Sequence, residues 1–412
     1  MKRTLIAGAV AALLALPALA AQVPAGTKLL PAEQQTFIRN IGTEPASIDP
    51  QMVEETAGSD IVNDLFEGLY TLDGDGKLQP AGALSYELDP TGTVYTFKLR
   101  PDAKWSNGEP VTAADYVYGW QRAADPKNAS NYAWFIELTG VTNASDVVQG
   151  KKSPDALGIK ALDAHTLQIT LKNPVPFFLK TLSHYTTFPA PRATIEKFGH
   201  EWVKPGNIVS NGAFVLKEWT PNERLISERN PYYWDNQHTV LNKVLYLEIV
   251  SDTAAYNRYR AGELHYTSYP LEQYKQLKQQ SPQELVSVPT LATYYYVFNT
   301  QRKPFDNPKV RKALSLAIDR DTITEKILGQ GQISAFSLTP PIVDGFELKR
   351  PASERMSKEE RIKQAKALLA EAGYGPGKPL DVDILYNTNE GHKKIALAIS
   401  SMWKHNLGVQ AK

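Results

Sequence analysis

Apolar positions follow two different periods along this chain, and the two alternate irregularly. Tyr95, Phe97 and Leu99 are separated by Thr96 and Lys98, the period-2 pattern of a half-buried strand. Leu167, Ile169 and Leu171 repeat it against Gln168 and Thr170. Asp73-Gly74-Asp75-Gly76, set between apolar residues, predicts a tight turn. Helical spacing appears at Val310, Ala313, Leu314, Ala317 and Ile318, with Pro308 at the first turn. A second helix is predicted through Ala365, Leu368, Leu369 and Ala372, stopped by Gly373. The run from Tyr294 to Asn299 predicts a strand with Tyr294 and Tyr296 on one side and Tyr295 on the other. Near the end, Leu407, Val409 and Ala411 read as the start of a further strand, so the sequence is expected to be cut short within a domain. No unit repeats with the period of a solenoid or propeller. The mixture predicts an α/β protein of several domains.

The first residues break this pattern. Lys2 and Arg3 precede an apolar run from Leu5 to Leu16, followed by Pro17 and Ala18-Leu19-Ala20. That order is a secretory signal peptide over residues 1–20, with cleavage expected between Ala20 and Ala21. The run is too short for a spanning helix, so the mature protein is expected to be soluble. The 412 residues contain no cysteine. That excludes disulfides, thiolate metal sites, a cysteine nucleophile and a lipid anchor on cysteine. With a signal peptide and no anchor, the expected compartment is the periplasm. A formal charge of +1 offers nucleic acid or an anionic membrane no electrostatic attraction.

Catalytic patterns are missing. The 7 histidines include no pair at metal-ligand spacing, and neither H-E-x-x-H nor G-x-S-x-G occurs. Gly373-Tyr374-Gly375-Pro376-Gly377-Lys378 is one residue short of a phosphate loop, and Pro379 stands where Ser or Thr would hold magnesium. The Asp73 turn begins like a calcium loop, but Leu84 occupies the place of its closing glutamate. No enzymatic activity, metal or cofactor is expected. Aromatic groups are more suggestive: Tyr294-Tyr295-Tyr296, then Tyr132, Trp134 and Phe135, then Tyr266 and Tyr269. On composition alone these rings suit a ligand wall and a packed core equally.

Motifs spread from end to end carry a resemblance. They are Glu44-Pro45-Ala46-Ser47-Ile48-Asp49-Pro50, Asp64-Leu65-Phe66-Glu67-Gly68-Leu69, and Tyr95-Thr96-Phe97-Lys98-Leu99-Arg100 with Lys104-Trp105-Ser106-Asn107-Gly108. Val111-Thr112-Ala113-Ala114-Asp115, Asn211-Gly212-Ala213-Phe214 and Asn230-Pro231-Tyr232-Tyr233-Trp234 follow. Tyr259-Arg260-Ala261-Gly262-Glu263 and Val310-Arg311-Lys312-Ala313-Leu314 with Ile318-Asp319-Arg320 complete the set. In this order the chain resembles the periplasmic solute-binding proteins of the peptide/nickel group (family 5), near the oligopeptide and murein-tripeptide receptors.

The resemblance implies a type II periplasmic-binding-protein-like fold with two lobes, an extra small domain and an incomplete second lobe. Lobe I would comprise residues 21–66 and 192–290, the extra domain 67–191, and lobe II 291–412. The implied activity is capture of short peptides between the lobes and delivery to the permease subunits of an ABC importer in the inner membrane. The protein would act as a monomer without nucleic acid. By analogy Glu54 and Thr56 lie near the start of the peptide, Tyr132, Tyr266 and Tyr295 are cleft tyrosines, Tyr294 is a peptide contact in the run at the crossover to lobe II, and His184 and His392 line the side-chain and carboxylate end.

Departures from the family pattern touch specificity. Ala292 stands where oligopeptide receptors carry a cysteine, Thr290 replaces a tyrosine, and a basic residue near Leu328 is absent. Groups that bind the peptide termini are expected beyond Lys412. The run Thr293-Tyr294-Tyr295-Tyr296-Val297-Phe298-Asn299-Thr300 leans toward the murein-tripeptide branch. General oligopeptides rank ahead of that branch, and both ahead of bile-salt, nickel or haem relatives. A secreted peptidase and a holdase for unfolded chains are the readings from other classes.

Overall fold

A computed structural model describes residues 21–287, 291–340, 343, 347 and 350–412. The signal segment 1–20 and Thr290 lie outside the described residues. The chain divides into two compact units, Met1–Glu248 and Ile249–Lys412.

The first unit contains two four-stranded sheets. In one, Thr36–Asn40 runs parallel to Lys243–Leu247, which pairs antiparallel with Arg224–Arg229, and that strand pairs antiparallel with Phe214–Thr220. The first and last strands of the unit are therefore neighbours, and everything between them is closed into one loop of chain. The other sheet is antiparallel throughout, in the order Ala83–Leu88, Val94–Leu99, Thr166–Thr170, Ile159–Asp163. The alternation read from sequence holds here: Tyr95, Phe97, Leu99, Leu167, Ile169 and Leu171 are all buried. Helix Ala113–Ala124 is opened by Asp115, whose carboxylate accepts the Thr112 N–H at 2.7 Å. It buries Tyr116, Trp120, Ala123 and Ala124 in the same core. Asp73–Gly76 forms the turn of the hairpin Tyr70–Leu72 and Leu78–Pro80; Asp73 Oδ1 accepts the N–H groups of Asp75 and Lys77 at 3.0 and 2.9 Å.

Three of the recognised motifs meet in one buried knot. The Asn211 side chain bonds both backbone groups of Glu67, accepting from its N–H at 3.1 Å and donating to its carbonyl at 2.9 Å. The Glu67 carboxylate receives Tyr233 Oη at 2.7 Å and Trp234 Nε1 at 2.6 Å. Asn230 Nδ2 donates to the Gly212 carbonyl at 2.9 Å. Gly212 lies so close to the Leu65–Phe66 backbone that a Cβ there would come within 2.6 Å of it. Burial pushes Glu67 up to about 7 despite the bonds from Tyr233 and Trp234.

The second unit packs three helices, Pro308–Leu316, Lys358–Glu371 and Glu390–Leu407, around a core that includes Val310, Leu314, Leu369, Ile399 and Trp403. Each helix has a side-chain N-cap, from Asn307, Ser357 and Asn389 respectively. Gly373 (φ +84°) and Gly408 (φ +69°) follow the second and third helices in the left-handed region. Leu407 proves to be the last residue of its helix, and the expected strand is the pair Gln410–Ala411, parallel to Asp381–Val382.

The Tyr294–Asn299 run departs from expectation. It is irregular, with no strand paired to it among the described residues. A strand needs a neighbour for its backbone groups as well as an alternating pattern. The alternation itself survives: Tyr296 and Phe298 pack on the unit's core, whereas Tyr295 and Val297 are 60% and 80% exposed. No helix among the described residues is long and apolar enough to cross a membrane.

Candidate functional site

In the first unit, loop 49–55 leads into helix Thr56–Leu65, so Thr56 is its first residue. The preceding Glu55 caps it, its carboxylate accepting the Gly58 N–H at 2.8 Å and the Ala46 N–H at 3.1 Å. Glu54, exposed beside it, accepts a bond from Asn131 Nδ2 at 2.9 Å. The next residue after that asparagine is Tyr132, which precedes the short helix Ala133–Leu138.

The Tyr132 ring lies 5.3 Å from His184, 5.5 Å from Trp134 and 5.9 Å from Tyr185. His184 is stacked on Phe135 at 4.1 Å and tilted against Tyr185 at the same distance. Its Nδ1 accepts the Thr186 N–H at 3.3 Å, leaving the ring proton on Nε2. Burial lowers its pKa to about 4, so the imidazole is neutral at physiological pH. Burial likewise raises Tyr185. The result is an uncharged aromatic wall with the Glu54 carboxylate joined to it through Asn131. Such a surface stacks on apolar and aromatic groups, and the carboxylate favours a cation nearby.

The second unit holds a smaller cluster. Tyr294 lies 4.9 Å from the His392 ring and 5.8 Å from Tyr296, edge to face. His392 sits in the first turn of helix Glu390–Leu407; its N–H donates to the capping Asn389 Oδ1 at 3.0 Å, and its Nδ1 bonds Asn387. Burial lowers the His392 pKa. Tyr295 and Tyr266 are at least half exposed. Among the described residues, no group of three or more His, Asp or Glu side chains could hold a metal ion.

Thus Tyr132 and His184 meet directly, Glu54 joins them through Asn131, and Tyr294 meets His392. Tyr185 and Asn131 were missed in the sequence. Both flank residues that were singled out, yet nothing in a linear pattern shows that Tyr132 and His184 face each other. The recognised motifs include neither: they mark the Glu67 knot instead.

The model of the bacterial extracellular solute-binding proteins, family 5 (middle region), matches residues 77–412. The chain belongs to this family. The periplasmic oligopeptide-binding protein OppA of Escherichia coli is 49% identical over 100% of this chain and 76% of its own length. The periplasmic murein peptide-binding protein MppA of the same organism is 47% identical over 95% of this chain and 73% of its length. Among solved structures, Haemophilus influenzae OppA in complex with RPPGFSPFR superposes with a TM-score of 0.90 at 43% identity, covering 92% of this chain and 75% of that one. The fold class is that of the type II periplasmic binding proteins, and the family is one of solute binders.

Proposed function

We propose that this chain is the periplasmic substrate-binding protein of an ABC importer, capturing short peptides in a cleft between two lobes and delivering them to the membrane permease. One observation carries the reading: 92% of the chain superposes on a family member solved in complex with the peptide RPPGFSPFR. Pairing of the peptide backbone with protein strands would supply affinity independent of sequence. Aromatic walls then accept varied side chains.

In this reading Glu54, Thr56, Tyr132, His184, Tyr266, Tyr294, Tyr295 and His392 contact peptide. Residues 21–66 and 192–290 form lobe I, 67–191 the extra domain and 291–412 lobe II. The protein acts as a monomer, transfers no chemical group and is released by cleavage after Ala20. Calorimetry of the complete protein with tri- to pentapeptides should give heat and a rise in melting temperature; neither appearing would overturn the reading. Labelled peptide should be recovered intact.

A murein tripeptide is the second candidate ligand, favoured by the 47% identity to MppA over 95% of the chain. Competition between that tripeptide and unrelated tripeptides decides it. A preference for the cell-wall peptide of tenfold or more would select the second reading.

A further inference from the structure

Gln51 touches all three segments that carry the first unit's candidate site, yet it is itself 0% exposed. Its carbonyl accepts Ser130 Oγ at 2.6 Å, and that same hydroxyl receives the Tyr132 N–H at 3.2 Å. Its side-chain Nε2 donates to the Phe188 carbonyl at 3.2 Å, at the end of the short helix Tyr185–Thr187 that His184 opens. Its Oε1 accepts Arg122 at 3.1 Å, and its N–H donates to Asp49 Oδ1 at 3.0 Å. Gln51 lies three residues before Glu54.

Every polar group of this residue is therefore engaged, and none is available to a ligand. A glutamine whose amide oxygen and nitrogen are both bonded in the interior fixes position, because breaking either bond would leave a buried donor or acceptor unpaired. We infer that Gln51 is a positioning residue: with Ser130 as its clasp, it sets the Glu54, Tyr132 and His184 segments in one register. This deepens the peptide-binding reading and rests on it.

The test measures peptide affinity by calorimetry and melting temperature in parallel, on the complete protein and on Ser130→Ala, Ser130→Thr, Gln51→Leu and Glu54→Gln. Ser130→Ala removes the clasp at a partly exposed position and should fold normally. It should weaken binding roughly tenfold with little change in melting, whereas Ser130→Thr, which keeps the hydroxyl, should bind within about twofold of the parent. Glu54→Gln should cost less affinity in a Gln51→Leu background than alone, because the carboxylate is already displaced. Binding by Ser130→Ala within about twofold of the parent, or strict additivity of the Gln51 and Glu54 changes, would overturn the inference. A parent protein that binds no peptide would instead overturn the functional reading beneath it.

Discussion

Two clusters pair a tyrosine with a histidine, one in each unit, and they are built differently. Around Tyr132 and His184 the supports are buried and remote in sequence: Asp49, Gln51, Arg122 and Phe188 bring together stretches up to 137 residues apart. Around Tyr294 and His392 the hydrogen bonds to the histidine are local, from Asn387 and Asn389. Tyr294 is about half exposed, while His184 is partly buried, stacked on Phe135 and tilted against Tyr185. The first cluster is a preorganised wall whose shape is paid for by the fold of its unit. The second is a surface whose rings can shift at small cost.

The sharpest way to break this contrast is to remove Arg122. It makes a two-bond ion pair with Asp49, at 2.7 and 2.6 Å, with both side chains 10% exposed or less. Arg122→Leu strands a buried carboxylate and should cost about 3–5 kcal/mol in denaturant unfolding. A loss under about 1 kcal/mol would mean that the wall does not depend on this network.

The pH dependence of stability sharpens the contrast next. Glu67 is raised in the folded state, so the folded chain keeps a proton that the unfolded chain releases as pH rises from about 4.5 to about 7, and stability falls across that window. His184 is depressed, so the unfolded chain takes up a proton that the folded chain refuses as pH falls from about 6.5 to about 4, and stability falls in that direction. The two slopes oppose each other where the windows overlap. Glu67→Gln should therefore unmask a loss toward acid and gain of order 1–3 kcal/mol above pH 7, while His184→Phe should unmask a loss toward neutral pH. Thermal melts between pH 4 and 8 read both. Identical profiles for parent and variants would show that neither group titrates as its burial requires.

The smallest effect is expected at the second cluster. Tyr294→Ala should change unfolding stability by less than about 1 kcal/mol, since half the ring is already in water. A larger loss would make this cluster structural and erase the distinction.

How much could be read in advance differs between fold and site. The strand alternations at Tyr95–Leu99 and Leu167–Leu171 and the helix after Asn307 were legible because local burial follows a fixed period. The motifs were legible too, but as family marks, and only the structure explains them: Glu67, Asn211, Asn230, Tyr233 and Trp234 knot the unit together. The Tyr294–Asn299 pattern misled because alternation records which side is buried and says nothing of a hydrogen-bonding neighbour. Gln51 was invisible, since a glutamine beside a proline looks like any loop residue.

By itself, then, the sequence determined the α/β class, the family and the absence of cysteine chemistry, all properties of residue type and local order. Tertiary structure alone decided that Tyr132 meets His184, that the imidazole is neutral and that Gln51 joins three segments. Proximity between distant residues, and the loss of water that shifts a pKa, exist only once the chain has closed on itself.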